Sequence, residues 1–442
     1  MTHRLTVFGT GYLGATHAVC MAELGYDVIG VDVDASKIAS LSAGEVPFFE
    51  PGLEPLLRKN LEAGRLRFTV SYEEAAAFGD VHFVCVGTPQ RAGEYAADLS
   101  YVDAVVTGLA PHLTGECLVV GKSTVPVGTA QRLADRLAKE APAGERAELA
   151  WNPEFLREGF AIEDTLHPDR LVFGVREGGR GEAVLREVFA PLIDGGTPVV
   201  VADFPTAELV KVSANAFLAT KISFINAMAE VCEAAHADVK KLSEALAYDD
   251  RIGGRFLHAG LGFGGGCLPK DIRAFMARAG ELGVDQALSF LREIDAINGR
   301  RRERMVEIAR EVVGGTFTGK RIAVLGAAFK PNSDDIRDSP ALNVAAQLQL
   351  QGAVVRVTDP AAVENSRRLW PQLDYADTAE EAAERADAVL VLTEWDDYRQ
   401  LDPVAFGRVV ARKSVLDGRN ALDREAWTAA GWSYRALGRR AG

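Results

Sequence analysis

The chain has 442 residues, a formal net charge of −13, and 48% hydrophobic and 25% charged residues. This length favours two or three domains, and the composition is that of a globular protein, which excludes a disordered or collagen-like chain. The negative charge argues against broad binding of nucleic acid or anionic membranes, although a local basic pocket can still bind a small anion.

The sequence carries no pattern of a secretory leader, because the first strand-like run, RLTVFGTG, begins at Arg4. No charge-free apolar stretch of about 18 residues is present that would span a bilayer. The cysteines are odd in number, widely spaced and without a CxxC pair, so neither a disulfide framework nor a zinc site is indicated. They are Cys20, Cys85, Cys117, Cys232 and Cys267. We expect a cytoplasmic protein with no metal, no nucleic-acid partner and no membrane partner.

The first third of the chain alternates short β-branched runs with helical patterns. The runs are LTVFG, DVIGVDVD, VHFVCVGTP, CLVVGKST and AELAWNP. Strands that alternate with helices predict a parallel, doubly wound sheet. Residues 204–238 contain no Gly or Pro after Pro205 and have apolar residues spaced by about 3.6, which predicts one long helix.

A second helical stretch, residues 285–313, precedes another set of strand-like runs. These runs are KRIAVLGAAFK, AVVRVTDP, ADAVLVLTE and SVLDGRN. We therefore expect an α/β protein with two Rossmann-like, doubly wound parallel-sheet domains joined by a helical connector. The predicted domains are 1–200, 201–314 and 315–442.

A dinucleotide-binding turn is predicted at the first strand. VFGTGYLG supplies GxGxxG as Gly9, Gly11 and Gly14, and the second strand ends at Asp32. This context favours a pyrophosphate at the helix N-terminus and a carboxylate on the adenosine ribose, and it favours NAD over NADP because a carboxylate repels a 2′-phosphate. A structural glycine turn with a solvated aspartate is the alternative. Lys37 either contacts the ribose or is solvated.

Two later strand ends, VGTP and STVPVG, lie where a parallel sheet binds ligands. Thr88 and Thr124 either meet cofactor or substrate there or satisfy turn backbone. Lys211 and Asn215 share one helix face, and we expect either ligand contacts or a snorkelling lysine beside a surface asparagine. Glu154 likewise shares a face with Glu158 if the segment is helical; the pair then activates water, holds a lysine or is solvated.

The run GFGGGCLPKD places Cys267 after four glycines and before two charged residues. A lone cysteine is more often a small buried hydrophobe than a nucleophile. Bare backbone, however, comes close to a ligand and donates N–H groups to an anion, and nearby positive charge such as Lys270 favours a thiolate. Nucleophile and buried hydrophobe both remain readings of Cys267.

Ten motifs together resemble the nucleotide-sugar dehydrogenases of the UDP-glucose/GDP-mannose dehydrogenase family over nearly the whole chain. They are VFGTGYLGATHA, VPFFEPGLEPLL, VGTPQ, STVPVGT, NPEFLREG, ELVKVSANAFLATKISFINAMAE, DDRIG, GFGGGCLPKD, GAAFKPNSDDIRDSPAL and DGRN. Without the resemblance, RDSP indicates only a helix start, with Ser339 as cap and Pro340 in the first turn.

The resemblance implies roles for individual residues. Cys267 matches the nucleophile, Glu154 the acid/base for hydrolysis, and Thr124 a residue that positions water, while Lys211, Asn215 and Asp271 match polar groups around the reacting carbon. The implied cofactor-binding residues are Gly9, Gly11, Tyr12, Leu13, Gly14, Asp32, Lys37, Thr88, Pro89, Thr124, Glu158, Lys270 and Arg337. The implied substrate-binding residues are Glu154, Phe155, Leu156, Glu158, Lys211, Asn215, Arg251, Phe263, Gly264, Gly265, Gly266, Lys330 and Arg419.

The resemblance further implies a homodimer through the central helix and an NAD-dependent, four-electron oxidation of the C6 alcohol of UDP-glucose to a carboxylate. Arg251 matches an arginine that in relatives reaches the neighbouring subunit's substrate. Leu268 stands where many UDP-glucose enzymes have Phe, which keeps dTDP-glucose and GDP-mannose as alternative substrates. Two other functions are alternatives. If the protein is a single-step hydroxyacid dehydrogenase, Cys267 has no explained role. If it is a non-catalytic NAD sensor, the glycines serve packing alone.

Overall fold

The computed structural model describes residues 3–440 and divides the chain into two compact units. The first unit consists of Met1–Ala214 and Arg273–Gly283, and the second of Asn215–Ile272 and Val284–Gly442. The predicted three-domain division at 200 and 314 stays a prediction.

Strands and helices alternate through the first unit, and every strand joins one sheet. The elements are β1 Arg4–Phe8, α1 Tyr12–Glu23, β2 Asp27–Val31, α2 Ala35–Ser42, α3 Leu53–Glu62, β3 Leu66–Thr69, α4 Tyr72–Phe78, β4 Val81–Val84, α5 Ser100–Leu109, β5 Cys117–Gly121, α6 Thr129–Glu140, β6 Ala147–Trp151, α7 Ala161–Leu166, β7 Leu171–Gly174, α8 Gly181–Val188, α9 Ala190–Asp194 and β8 Val199–Ala202. The sheet order is β3-β2-β1-β4-β5-β6-β7-β8. This order places the carboxyl ends of β1, β2, β4 and β5 on one edge of the sheet.

The five strands predicted for this unit are confirmed. Four of them, β1, β2, β4 and β5, are buried along all or nearly all of their length, which is why each is mostly apolar in the sequence. Strands β3, β7 and β8 were not predicted from the sequence. The outermost strands β3 and β8 expose part of their length, and β7 pairs antiparallel to β6 through Trp151 and Gly174.

The second unit contains long helices and a second sheet. The elements after β8 are α10 Phe204–Ala235, α11 Val239–Ala247, α12 Leu268–Glu281, α13 Phe290–Val312, β9 Arg321–Leu325, α14 Pro340–Leu350, β10 Val354–Thr358, α15 Val363–Leu369, β11 Asp374–Tyr375, α16 Ala379–Ala383, β12 Ala388–Val391, α17 Asp396–Arg399, α18 Pro403–Phe406, β13 Ser414–Asp417, α19 Arg424–Ala429 and β14 Ser433–Ala436. The prediction of a long helix over 204–238 is confirmed as α10, which ends before Asp238 because that side chain caps α11 at the N–H of Lys240, 2.8 Å away.

The second sheet has the order β11-β10-β9-β12-β13-β14, with every pair parallel. Its first four strands repeat the arrangement of β3-β2-β1-β4 in the first unit, so the expected duplication of a Rossmann-like unit is confirmed. The predicted helix start at RDSP is also confirmed, since the Ser339 hydroxyl accepts a hydrogen bond from the N–H of Leu342 at 3.3 Å. None of the described helices is long and apolar enough to cross a membrane.

Candidate active site

The turn between β1 and α1 has the geometry of a dinucleotide-binding turn. Gly9 has φ of +89°, a conformation that L side chains rarely adopt. A Cβ atom on Gly14 would lie 1.7 Å from the carbonyl oxygen of Gly9, so α1 approaches the turn too closely for any side chain there. A Cβ on Gly11 would meet nothing within 4 Å, and the N-terminus of α1, with Tyr12 and Leu13, follows directly. This open backbone fits a pyrophosphate.

Asp32 lies at the end of β2 and faces the same turn. Its carboxylate accepts hydrogen bonds from the N–H of Thr10 at 2.8 Å, from the N–H of Asp34 at 3.1 Å and from Lys37 Nζ at 2.8 Å. Burial raises the pKa of Asp32, but the hydrogen bonds from Lys37 and the backbone outweigh it and lower the pKa overall. The carboxylate stays ionised, as ribose binding requires, and Lys37 pairs with it.

The ends of β4 and β5 are joined by side-chain hydrogen bonds. The hydroxyl of Thr88, a buried side chain beside the exposed Pro89, donates to the carbonyl of Thr124 at 2.7 Å. Two roles were predicted for Thr88, and the hydroxyl has the one in which it bonds to turn backbone. Thr124 itself is partly exposed at this sheet edge.

Lys122 is a buried residue of this edge that the sequence analysis missed. Its Nζ donates to Asn152 Oδ1 at 2.9 Å and lies 6.0 Å from the ring centroid of Phe83. Asn152 in turn donates to the carbonyl of Val172 at 3.0 Å. Burial lowers the pKa of Lys122. The only sequence signal is a lysine that directly follows a fully apolar strand, CLVVG.

Residues 152–160, which we call the substrate loop, lie between β6 and α7. Glu154 Oε1 lies 3.0 Å from Lys211 Nζ, and both side chains are largely buried. Glu154 Oε2 accepts from the N–H of Leu156 at 2.5 Å, and Lys211 Nζ lies 5.6 Å from the Phe155 ring centroid. Glu154 and Glu158 do not share a helix face, because the loop is irregular after Pro153. Of the predicted roles for Glu154, holding a lysine is the one that this geometry displays.

In the second unit, Asn215 and Asp271 are buried and bonded to each other. Asn215 Nδ2 donates to Asp271 Oδ2 at 2.6 Å, and Lys270 Nζ lies 2.5 Å from Asp271 Oδ1. Only 7% of Asn215 and 2% of Asp271 are exposed, so the reading of Asn215 as a surface asparagine is wrong. Lys211, 5% exposed, is not a snorkelling lysine either. Buried polar groups of this kind need partners, which they have here.

Cys267 directly precedes α12 and is exposed, whereas the other four cysteines are buried. Burial raises the pKa of Cys20 and Cys85 to about 12 and that of Cys117 to about 11, and it also raises the pKa of Cys232. These four thiols are therefore protonated at neutral pH. The reading of Cys267 as a small buried hydrophobe is wrong.

The glycines before Cys267 contact the protein's own chain. A Cβ on Gly264 would lie 2.4 Å from the Asp338 carbonyl oxygen, one on Gly265 would lie 2.8 Å from the Phe329 ring, and one on Gly266 would lie 2.2 Å from the Arg337 guanidinium carbon. The N–H of Gly265 donates to the Arg337 carbonyl at 2.8 Å. The N–H of Gly266 lies 3.3 Å from an oxygen of Asp335, to which it donates. The expectation that this backbone donates to an anion is wrong for these two N–H groups, because protein oxygens already accept from them.

Asn298 on α13 holds the same loop and was also missed. Its Oδ1 accepts from the N–H of Phe263 at 2.6 Å, and its Nδ2 donates to the carbonyl of Phe263 at 2.8 Å. A Cβ on Gly262 would lie 2.0 Å from Asn298 Oδ1, so glycine is required there. Asn298 is 3% exposed, and a single buried asparagine in a charged helix gives no sequence signal.

The remaining predicted residues of the second unit differ in burial. Arg419 is 12% exposed and donates to three backbone carbonyls, those of Leu392, Gly262 and Phe329, at 2.8 to 3.2 Å. Arg337 is 61% exposed and pairs with Asp335 at 2.7 Å. Lys330 Nζ lies 5.4 Å from the Phe329 ring centroid, and Arg251, 89% exposed, pairs with Asp249 at 2.7 Å. Arg419 thus braces the glycine loop, while Arg251 points into solvent.

The fold, the glycine turn and the ionised carboxylate at the end of β2 define a dinucleotide-binding α/β protein of the Rossmann type. Three family models match the chain: the NAD-binding domain of the UDP-glucose/GDP-mannose dehydrogenase family at residues 3–193, its central domain at 205–300 and its UDP-binding domain at 323–424. The chain belongs to the UDP-glucose/GDP-mannose dehydrogenase family, and NAD is its cofactor.

Full-length relatives agree with this assignment. The chain is 43% identical over 437 residues to a UDP-glucose 6-dehydrogenase of Rhizobium meliloti, covering 99% of both chains. It is 40% identical over 438 residues to one of Bacillus subtilis, covering 99% of this chain and 98% of the relative. The solved structure of a UDP-glucose dehydrogenase from Pyrobaculum islandicum is 38% identical and superposes with a TM-score of 0.91, covering 99% of this chain and 98% of that one.

Replacing Gly11 or Gly14 by alanine separates cofactor binding from folding. Gly14→Ala should lower the free energy of unfolding by about 1–3 kcal/mol, because the methyl group meets the Gly9 carbonyl. Gly11→Ala should leave stability unchanged and weaken NADH binding by about tenfold or more, because its methyl group stands where the pyrophosphate approaches. Thermal unfolding and NADH titration measure the two effects. Wild-type NADH affinity in Gly11→Ala would contradict this placement of the cofactor.

Cys267 should be the one thiol that reacts rapidly in the folded protein. With an aromatic disulfide reagent at pH 7.5, we expect about one fast equivalent per chain, because the other thiols are buried and protonated. Cys267→Ser should remove the fast phase, and Cys232→Ser, a matched change at a buried thiol, should retain it. A fast phase of full amplitude in Cys267→Ser would show that a different thiol reacts.

Proposed function

We propose that the protein oxidises the C6 alcohol of UDP-glucose to the carboxylate of UDP-glucuronate, with two NAD molecules reduced per sugar. The observation that carries this proposal is the exposed Cys267, whose carbonyl accepts from the N–H of Asp271 at 3.0 Å, next to the buried Asn215–Asp271 pair. The substrate is supported by the full-length relatives, which are named UDP-glucose 6-dehydrogenases.

The proposed cofactor site consists first of Gly9, Gly11, Gly14 and Asp32. The other cofactor-binding residues are those that the family resemblance implies. NAD, when bound, accepts the hydride that leaves C6 in each of the two oxidations. The protein must supply what the second oxidation needs, which is a tetrahedral carbon in place of the planar aldehyde.

Cys267 makes C6 tetrahedral by covalent catalysis. Its Sγ thiolate adds to the C6 aldehyde, and the resulting oxyanion takes up a proton, so that the intermediate is a thiohemiacetal that cannot diffuse away. After the second oxidation C6 is a thioester of Cys267. Water then attacks this thioester, the C–S bond breaks, and the carboxylate leaves while the thiolate is restored.

Fixed donors and bases support these steps. Lys211 and Asn215 stabilise the oxyanion at C6, a role worth about 3–4 kcal/mol per donor in comparable sites. Asp271 keeps Asn215 in place by accepting its Nδ2–H at 2.6 Å. Glu154 acts on the hydrolytic water, which Thr124 positions, and the ion pair of Glu154 with Lys211 at 3.0 Å holds this carboxylate in place. Lys330 and Arg419 are proposed to contact the sugar nucleotide, and Arg337 and Glu158 the cofactor.

A panel of sugar nucleotides tests the reaction and its substrate. With UDP-glucose we expect two NADH per sugar acid formed, measured by absorbance and by mass spectrometry of the product. Leu268 leaves dTDP-glucose and GDP-mannose as alternative substrates. If either is turned over faster than UDP-glucose, the assigned substrate changes and the proposed mechanism stays the same. One NADH per aldehyde released from the wild-type protein would exclude the thioester route.

Cys267→Ser should lower steady turnover by about three orders of magnitude or more while retaining NADH and UDP-glucose binding, because only the covalent step is lost. Binding is measured by calorimetry with UDP-glucose and NADH, which do not react with each other. Cys232→Ser is the control. Four-electron turnover at the wild-type rate in Cys267→Ser would remove this thiol from the mechanism.

The proposal includes a homodimer formed through α10, in a cytoplasm whose reducing conditions suit four buried free thiols. Phe217, Phe224 and Val231 repeat every seven residues on α10 and are 65%, 47% and 56% exposed. An apolar stripe of this kind, on one face of a long helix, is typical of a helix–helix interface. Arg251, exposed on the same unit, is the residue proposed to reach the substrate of the second subunit.

Phe224→Glu should dissociate the dimer, because it places a charge in the centre of the stripe. Light scattering should then report a mass near the 47.5 kDa of one chain, instead of twice that value. Leu350→Glu, at an 85% exposed site on α14, is the matched control and should remain dimeric. A dimer of unchanged stability in Phe224→Glu would place the interface elsewhere.

A further inference from the structure

Glu50, in the VPFFEPGLEPLL motif, is a buried carboxylate to which no role has been given above. Only 7% of the residue is exposed. Its Oε2 accepts from the N–H of Gly159 at 2.7 Å and from the hydroxyl of Tyr12, and its Oε1 accepts from the N–H of Ala161 at 2.8 Å. A buried carboxylate is costly without such donors, so its three partners are part of one organised site.

The three partners belong to two separate elements of the first unit. Tyr12 is the first residue of α1 and stands between Gly11 and Gly14 of the cofactor turn. Gly159 and Ala161 lie where the substrate loop ends and α7 begins. Glu50 therefore bonds at once to the helix end that receives the pyrophosphate and to the loop that carries Glu154.

Tyr12 and Gly159 are also bonded directly. The N–H of Gly159 lies 2.9 Å from the Tyr12 hydroxyl oxygen, to which it donates. Burial and the hydrogen bond to Glu50 both raise the pKa of Tyr12, so its hydroxyl keeps its proton and donates it to Glu50. Tyr12 is thus joined to Gly159 both directly and through Glu50, and to Ala161 through Glu50.

We propose that Glu50 is a positioning residue through which NAD, bound at the glycine turn, orders the substrate loop. The inference rests on the proposed function only in that this loop binds the sugar nucleotide. If the cofactor stabilises the ordered loop, then by linkage the ordered loop binds the cofactor more tightly. At Ala161 both effects pass through Glu50, whereas Gly159 also has its direct bond to Tyr12.

Hydrogen exchange of the Gly159 and Ala161 amides measures this coupling, in the full chain and with NADH as the only added molecule. In the wild type we expect NADH to slow their exchange by about threefold or more, since ordering the loop lowers its opening. Glu50→Gln should raise the rate without NADH by about tenfold, because an amide NH₂ replaces one of the two acceptors. NADH should no longer slow the exchange of the Ala161 amide in this variant, because this amide is joined to Tyr12 through Glu50.

Two further variants make the test specific. Tyr12→Phe removes one hydroxyl and keeps the Glu50 bonds to Gly159 and Ala161, so exchange without NADH should stay within about threefold of wild type while the NADH response is lost. Glu54→Gln is the control: Glu54 is half-exposed on α3, pairs with Arg58 at 2.6 Å, and should behave as the wild type. Circular dichroism and NADH titration establish that each variant is folded and loaded.

The proposal is overturned if NADH does not slow exchange in the wild type, or if it still slows the exchange of the Ala161 amide in a folded, NADH-loaded Glu50→Gln. Because no sugar nucleotide is present, these outcomes do not depend on the reaction. If UDP-glucose is the substrate, Glu50→Gln should also raise its KM more than it lowers kcat, since the reacting groups are intact. If Glu50→Gln loses the NADH response but keeps the wild-type KM for UDP-glucose, the coupling between cofactor and loop is supported. The role of the loop in binding the substrate is then contradicted.

Discussion

The place of Cys267 depends on a steric constraint: at Gly262, Gly264, Gly265 and Gly266 the backbone lies so close to its neighbours that an added Cβ atom would meet them. Phe329, Arg337 and Asp338 occupy the space that Cβ atoms would need, and Asn298 fixes both polar groups of the Phe263 backbone. A loop with this little freedom delivers the thiol to the start of α12 in one position. Preorganisation of this kind is what covalent catalysis needs, because the nucleophile must already be placed when the aldehyde forms.

The two sheets show how one backbone arrangement serves two purposes. Asp32 ends the second strand of the first sheet, and Asp359 follows the second strand of the other. Asp32 pairs with Lys37 and has a lowered pKa, whereas Asp359 accepts from four backbone N–H groups and the Trp395 indole and has a pKa raised by burial. Asp359 is thus held by neutral donors of the turns around it, whereas Asp32 also pairs with a cation.

Buried polar side chains organise the first unit around the edge of its sheet. Lys122 holds Asn152, Glu154 holds Lys211, and Glu50 holds Tyr12 and the substrate loop. Each of these groups would destabilise the fold if it were left without a partner, and together they hold an irregular loop against a rigid sheet. The proposed coupling of cofactor to loop is a consequence of this arrangement.

The sequence by itself determined the two Rossmann-like halves, the long helix and the cofactor turn. These follow from apolar periodicity and from glycine, whose missing side chain is a local property. The tertiary structure decided that Asn215 is buried on Asp271, that the glycine N–H groups donate to protein oxygens, and that Glu50, Lys122 and Asn298 matter. The edge strand β3 was missed because its exposed Arg67 interrupts the apolar run, whereas β8 is an unbroken apolar run of four residues that was not assigned as a strand. The contacts between these polar side chains join residues that are far apart in the chain, so no local sequence pattern predicts them.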